Sequence, residues 1–294
     1  VETRLLLFLI SGILLLSMGF VSCGTGPQTK TTAPDRGAYA VDFGAAPSDL
    51  GFIDIGGRIE SMAGLTEFTI EAWVKPNTTT SGGIFSRSTG IADPDFTYAG
   101  ISLYITSNTP TFRMSDAMGW YYEVAATTAL TNGEWTHIAV VLHAAAHGSC
   151  SSPHVDIYIN GSLEACANAA FPGAFEYNER IGRLDSPASD IIRDTRLNAV
   201  IDEVRFWKVA RTASQIQTWM NKEITETNWN QANPNDALIG YWKFNEGTGT
   251  SISDASGKGK GGTKRSCVDG GTLCKDGEGN ITLWEGGWTT GYPF

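Results

Sequence analysis

The chain has 294 residues, 41% of them hydrophobic, with 34 Gly, 9 Trp, 9 Tyr and 13 Phe. That length suits one large domain or two small ones, and the Gly and aromatic content favours strands and turns over helices. A net charge of −10 excludes general binding to nucleic acid or to an anionic membrane surface, because phosphates need a positive counter-field. It is compatible with divalent cations and with neutral glycans.

Residues 5–22, LLLFLISGILLLSMGFVS, are the one long apolar run. It sits behind Arg4 and is short for a membrane span, so residues 1–22 are predicted to be a signal peptide. The run ends in Phe20-Val21-Ser22-Cys23-Gly24, which resembles the bacterial lipobox, with Phe20 where Leu is usual. The resemblance implies that Cys23 is lipidated and that the protein is a bacterial outer-membrane or cell-surface lipoprotein held by an N-terminal lipid anchor; failing that, it is secreted. Residues 23–37, the cysteine followed by GTGPQTKTTAPDRG, read as a flexible tether. A single domain is predicted over 38–294.

Within it, strand-like segments recur at 38–43, 52–55, 67–75, 83–87, 100–106, 111–114, 119–125, 134–143, 154–159 and 199–208. Many alternate apolar and polar residues, as half-buried antiparallel strands do. Asn160-Gly161 between 154–159 and 162–166 is a hairpin signal, since both residues tolerate positive φ. No βαβ rhythm appears, and the pattern is that of an antiparallel sandwich. One helix is predicted: Thr212 caps it, Gln215 completes a capping box, and Ile216, Trp219, Met220 and Ile224 form its apolar stripe. Its apolar face should rest on the sandwich edge. Residues 225–237 read as a loop.

Four cysteines remain after Cys23: Cys150, Cys166, Cys267 and Cys274. Of the three pairings, Cys150–Cys166 with Cys267–Cys274 closes short local loops and is favoured. The spacings do not fit paired C-x-x-C zinc knuckles.

The motifs AYAVDFG, FIDIGG, LTEFTIEAWVKP, LTNGEWTHIAVV, VDIYINGSLEA and AVIDEVRFWKVARTASQIQ occur in that order. As a set, over roughly residues 38–263, they resemble the laminin G-like jelly-roll family of the concanavalin A-like lectin/glucanase superfamily, related in architecture to pentraxins. The resemblance implies an all-β fold, an antiparallel two-sheet jelly-roll β-sandwich, with one short C-terminal helix. It also implies a secreted or surface protein, often calcium-stabilised, that binds glycans or other proteins. Residues 238–294 are read as closing strands with ITLWEGGW as the last; the alternative is a truncated second copy.

Asp202-Glu203, in VIDEVRFW, look like a glycosidase carboxylate pair. Strand alternation argues otherwise: Asp202 should share the apolar face of Val200, Val204 and Phe206, and Glu203 should turn to the surface with Arg205. A carboxylate on a core face needs compensation. A structural Ca2+ held by Asp202 and Asp42 is one solution; backbone N–H donors or an arginine are the other. Glu67 and Glu71 share a face but lie roughly 13 Å apart along a strand, beyond the separations of about 5–9.5 Å that glycosidases use. The E-x-D-x-x-E type signature of the glucanase relatives is missing, so no enzyme is expected. Asp254-Ala-Ser256-Gly-Lys258 reads as a Gly-rich turn, and His143-Ala-Ala-Ala-His147 as a loop that lacks the Glu of a zinc helix.

Trp73, Trp135 and Phe206 fit core patterns. Trp120-Tyr121-Tyr122 must place at least one ring on each face of a strand, and an exposed ring can stack on a sugar. Trp120 and Tyr122, with the loop residue Tyr98, are therefore the candidate ligand contacts. The expected function is recognition of a glycan or surface protein. The alternatives are a divergent glycoside hydrolase of the same fold and a structural subunit of the cell envelope.

Overall fold

The computed structural model describes residues 39–46, 50–55, 65–88, 100–116, 118, 120–146, 150–172, 179–184, 197–267 and 281–290. Cys23, Tyr98, His147 and Cys274 lie outside them, as do the predicted signal peptide and tether. In chain order the elements are β1 (Tyr39–Asp42), β2 (Leu50–Ile55), β3 (Phe68–Pro76), β4 (Gly82–Ser88), β5 (Gly100–Thr106), β6 (Thr109–Ser115), β7 (Tyr121–Ala125), β8 (Thr136–His143), β9 (His154–Ile159), β10 (Ser162–Asn168), β11 (Glu179–Ile181) and β12 (Ala199–Trp207). Helices α1 (Ala213–Trp219) and α2 (Trp229–Ala232) follow, then β13 (Leu238–Trp242), β14 (Ser251–Ile252), β15 (Gly262–Cys267), β16 (Ile281–Leu283) and β17 (Trp288–Thr290).

The strands form an antiparallel jelly-roll sandwich. One sheet of eight strands runs β10-β9-β8-β3-β12-β1-β17, with β13 also on β12; the other, of nine, runs β14-β15-β2-β11-β4-β5-β6-β7, with β16 also on β15. The predicted alternation is visible in β3. Phe68, Ile70, Ala72 and Val74 enter the core between the sheets, while Thr69, Glu71 and Trp73 are buried on the outer face. The core is completed from the second sheet by residues such as Ile53, Leu103 and Phe112. The C-terminal strands complete both sheets: β13 and β17 join the first, β14 to β16 the second. ITLWEGGW is thus two short strands in different sheets rather than one. The three-residue β11, between β2 and β4, is too short to show a period in the sequence.

Thr212 and Gln215 form the predicted capping box, with N···O distances of 3.2 and 2.9 Å, a motif worth about 1 kcal/mol. The helix lies on the outer face of the first sheet, not on the sandwich edge. Ile216 packs on Ala139, Val141 and Tyr158, and the Trp73 indole donates to the Met220 carbonyl at 2.7 Å. Ala139 and Val141 of β8 receive the helix there, and Trp73 is buried under the segment that ends it rather than between the sheets. The Asn160-Gly161 turn has φ of 50° and 76°, and the Gly161 carbonyl accepts from Gln217 at 2.9 Å. A Cβ at position 161 would lie 2.6 Å from the Gln217 side chain, so glycine serves both the turn and the close helix. The predicted loop at 225–237 contains α2.

Candidate functional site

Strand β12 departs from the alternation expected of it. Ala199 and Ile201 face the core, and so do Val204 and Phe206. Between them the register shifts: Asp202 pairs with Trp73 and Arg205 with Glu71, so Glu203 and Val204 together oppose Ala72. Glu203 has φ 54°. This is a β-bulge. It lies where the far neighbour of β12 changes from β1 to β13.

The bulge corrects two expectations. Asp202 does not share the core face of Val204 and Phe206, and Glu203 is not a surface residue, being 1% exposed. The Glu203 carboxylate accepts from Arg205 Nη2 and from the Tyr241 hydroxyl, each at 2.6 Å. Arg205 also donates to the carbonyls of Trp219 and Lys222 at 3.0 and 2.7 Å, tying the segment after α1 to the sheet. Glu71 lies beside it, 3.1 Å from Arg211, 3.7 Å from Arg205 and 3.5 Å from His137. Burial alone would raise the Glu71 pKa, but Arg211, His137 and Arg205 bring it down to about 2. These carboxylates are held by arginines under the helix, an arrangement that fastens the helix to the sheet.

Asp42 lies on β1 opposite Val200. Its Oδ1 accepts from Gly44 N at 2.9 Å and Asn77 Nδ2 at 2.8 Å, while Asp202 Oδ1 accepts from Glu203 N at 2.7 Å. N–H hydrogens face these oxygens, and a calcium cage needs six to eight oxygen ligands instead. One oxygen of each aspartate is thus engaged by backbone or amide donors, as in the second of the two solutions open from the sequence.

The exposed aromatics lie elsewhere, at the β6–β7 tip of the second sheet. Asp116 organises the turn by accepting from the backbone N–H groups of Met118 and Trp120 at 2.8 and 3.0 Å. Trp120 is 70% exposed and Tyr121 61%. Tyr122, the next residue, turns inward against the core, and its hydroxyl bonds Asp116 Oδ2 at 3.3 Å. Partial burial and the Asp116 charge hold that phenol above its ordinary pKa. The three rings are therefore split between faces, as alternation requires. Trp120 and Tyr121 are the exposed rings, and Tyr122 is half-buried.

Beside Tyr121 the outer face of β5–β7 carries polar groups. Arg113 sits 5.1 Å from the Tyr121 ring centroid and 5.7 Å from that of Tyr104. It pairs with Glu123 at 2.8 Å, and Glu123 accepts from the Tyr104 hydroxyl at 2.7 Å. Sequence reading singled out neither Arg113 nor Glu123; their direct pairing across β6–β7 is the signal that names them. An exposed ring next to a fixed donor and acceptor can hold a sugar, apolar face on the ring and hydroxyls on the charges.

Cys150 and Cys166 are joined as predicted, with Cα atoms 6.3 Å apart. Cys267 ends β15, and its predicted partner Cys274 is outside the described residues. Among the described residues no helix is long and apolar enough to cross a membrane.

Residues 53–217 match the Laminin_G_3 family, described as the concanavalin A-like lectin/glucanases superfamily. The chain belongs to this superfamily. The matched segment runs from β2 through most of α1 and contains both the aromatic tip and the arginine–carboxylate network. Among solved structures, this superfamily member is similar to a candidate carbohydrate binding protein from Bacteroides ovatus, at 18% identity and a TM-score of 0.53, over 84% of this chain and 60% of that one. The chain thus spans 60% of that protein's length. A SAP-like pentraxin from Limulus polyphemus is similar at 16% identity and TM-score 0.45, covering 62% of this chain and 81% of that one. The receptor binding domain of botulinum neurotoxin D is similar at 11% identity and TM-score 0.43, covering 63% and 43%. At these identities the likeness is one of fold. No curated protein matches the sequence.

Proposed function

We propose that the domain is a carbohydrate-recognition module whose glycan contact is the β6–β7 tip. The observation that carries this is the exposure of Tyr121 beside the Arg113–Glu123 pair, with the exposed Trp120 preceding it in the chain. Rigid aromatic rings supply contact area at low entropic cost, and the ion pair supplies directional hydrogen bonds. The carbohydrate-binding name of the Bacteroides ovatus neighbour supports the reading. The module acts by binding rather than by catalysis; the engagement of Glu71 and Glu203 by arginines supports this. The Cys150–Cys166 disulfide supports an oxidising, exported location, with Cys23 as the proposed lipid anchor.

A glycan array probed with the wild type, Trp120→Ala and Tyr121→Ala tests the proposal. Binding to a defined glycan class that both variants lose supports it. An unaltered array profile in the variants, or reducing-sugar release from the bound polysaccharide, overturns it.

A further inference from the structure

The outer face of the first sheet carries a second cluster, beyond the reach of α1. In β8 and β9, His143 stands directly opposite His154, and Val141 opposite Asp156. Asp156 is two residues from His154 and so shares its face. The core-facing residues between them are Leu142, Val155 and Ile157. The two imidazoles stack with centroids 4.8 Å apart and planes 12° from parallel. His143 Nε2 lies 3.2 Å from Asp156 Oδ2, and His154 Nε2 lies 3.6 Å from Asp156 Oδ1. One ligand atom from each of the three residues falls within 4.8 Å of the others.

We propose that His143, His154 and Asp156 form a binding site for a divalent transition-metal ion of the zinc class. Zinc bonds to imidazole nitrogen and carboxylate oxygen at about 2.0–2.2 Å, so tetrahedral ligand atoms stand roughly 3.3 Å apart. The two histidine–carboxylate distances, 3.2 and 3.6 Å, are near that spacing although each runs to a different oxygen of Asp156, and a rotation of the stacked rings is what brings both nitrogens onto one ion. Two nitrogen donors out of three select zinc, nickel or copper over calcium and magnesium, which take oxygen ligands. Asp156 is steadied by the Tyr158 hydroxyl at 3.0 Å, the kind of outer partner that orients a metal-bound carboxylate. Cys166 is the β10 neighbour of Asp156, so the Cys150–Cys166 bond borders the cluster and restrains its flank. His154 and Asp156 are fully buried and His143 is 16% exposed, which puts the entry path and the fourth ligand position on the His143 side. A site this enclosed clamps β8 to β9 and serves structure, since it leaves no room for a polymeric substrate.

The test uses the full chain, purified without a histidine tag and stripped with chelator. Zinc and calcium are titrated separately by calorimetry, and Co2+ is followed by its visible absorption. The expected result is one Zn2+ per chain, a melting temperature raised by zinc but not by calcium, and a Co2+ spectrum of tetrahedral type. His143→Gln, at the open side of the cluster, should keep the native circular dichroism spectrum and lower zinc affinity by about tenfold or more; Tyr158→Phe should lower it by about tenfold. Absence of stoichiometric zinc binding, or an affinity unchanged in folded His143→Gln, overturns the proposal and leaves the cluster as a histidine–aspartate contact.

Discussion

The side chain of Asp202 accepts the backbone N–H of Glu203 at 2.7 Å, so one carboxylate of the pair stabilises the bulge that turns the other inward. Glu203 sits at φ 54°, a conformation that costs a non-glycine residue of the order of 1–2 kcal/mol, and its bonds to Arg205 and Tyr241 offset that cost. Neither residue behaves as strand alternation requires.

Glu203→Ala should therefore destabilise the fold by about 3–5 kcal/mol, the loss expected when one partner of a buried ion pair is removed. Asp202→Ala should destabilise it by about 1–3 kcal/mol through the unsatisfied N–H. A calcium-selective chelator should leave the melting temperature of the wild type unchanged. Denaturant unfolding of the two variants checks the order of effects; a Glu203→Ala loss under about 1 kcal/mol would return Glu203 to the surface role that alternation assigned it.

Acid should unfold the protein through Glu71. Its carboxyl is held at about 2 against an ordinary 4.5, so the folded state favours the ionised form. That stability, on the order of 3 kcal/mol, is complete above the unfolded pKa and is lost as pH falls from about 4.5 through about 2. Urea unfolding measured across this range should show the decline, and Glu71→Gln should flatten it.

The disulfide should matter to stability independently of the glycan contact. Cys150 and Cys166 are 16 residues apart, and closing such a loop contributes about 3 kcal/mol in the chain-entropy model. The Cys150→Ala, Cys166→Ala double variant should lose that amount in denaturant unfolding and keep its glycan profile.

The glycan contact should be local. Trp120→Ala and Tyr121→Ala should each weaken binding by roughly tenfold, about 1.4 kcal/mol, with a melting temperature within a degree or two of wild type, because both rings are exposed. Tyr122→Phe, which changes only an inward hydroxyl, should leave affinity intact. Calorimetry with the array-identified glycan measures all three.

Cys23→Ala checks the proposed anchor: it should shift the protein out of the membrane fraction and remove the lipid mass from the N-terminal peptide.

Period, turn chemistry and capping are local properties, and they were legible in the sequence. The period-2 segments became β-strands, Asn160-Gly161 became the hairpin turn, Thr212 and Gln215 became the capping box, and the nearest cysteines with a described partner, Cys150 and Cys166, became the disulfide. The ordered motifs carried the family. The tertiary structure decided what depends on which strand lies beside which. The bulge in β12 exists where β1 gives way to β13, and nothing in IDEV records a change of neighbour, so the faces of Asp202 and Glu203 could not be read from alternation. Glu71 was weighed with Glu67, four residues along the same strand, whereas the structure folds Arg211, 140 residues away, against it. His143 was weighed with His147, four residues along the chain, whereas the structure sets it against His154 across the strand pair. Local sequence records the conformation a segment prefers; charge pairs and ligand sets form between strands, and only the register of the ladder brings their members together.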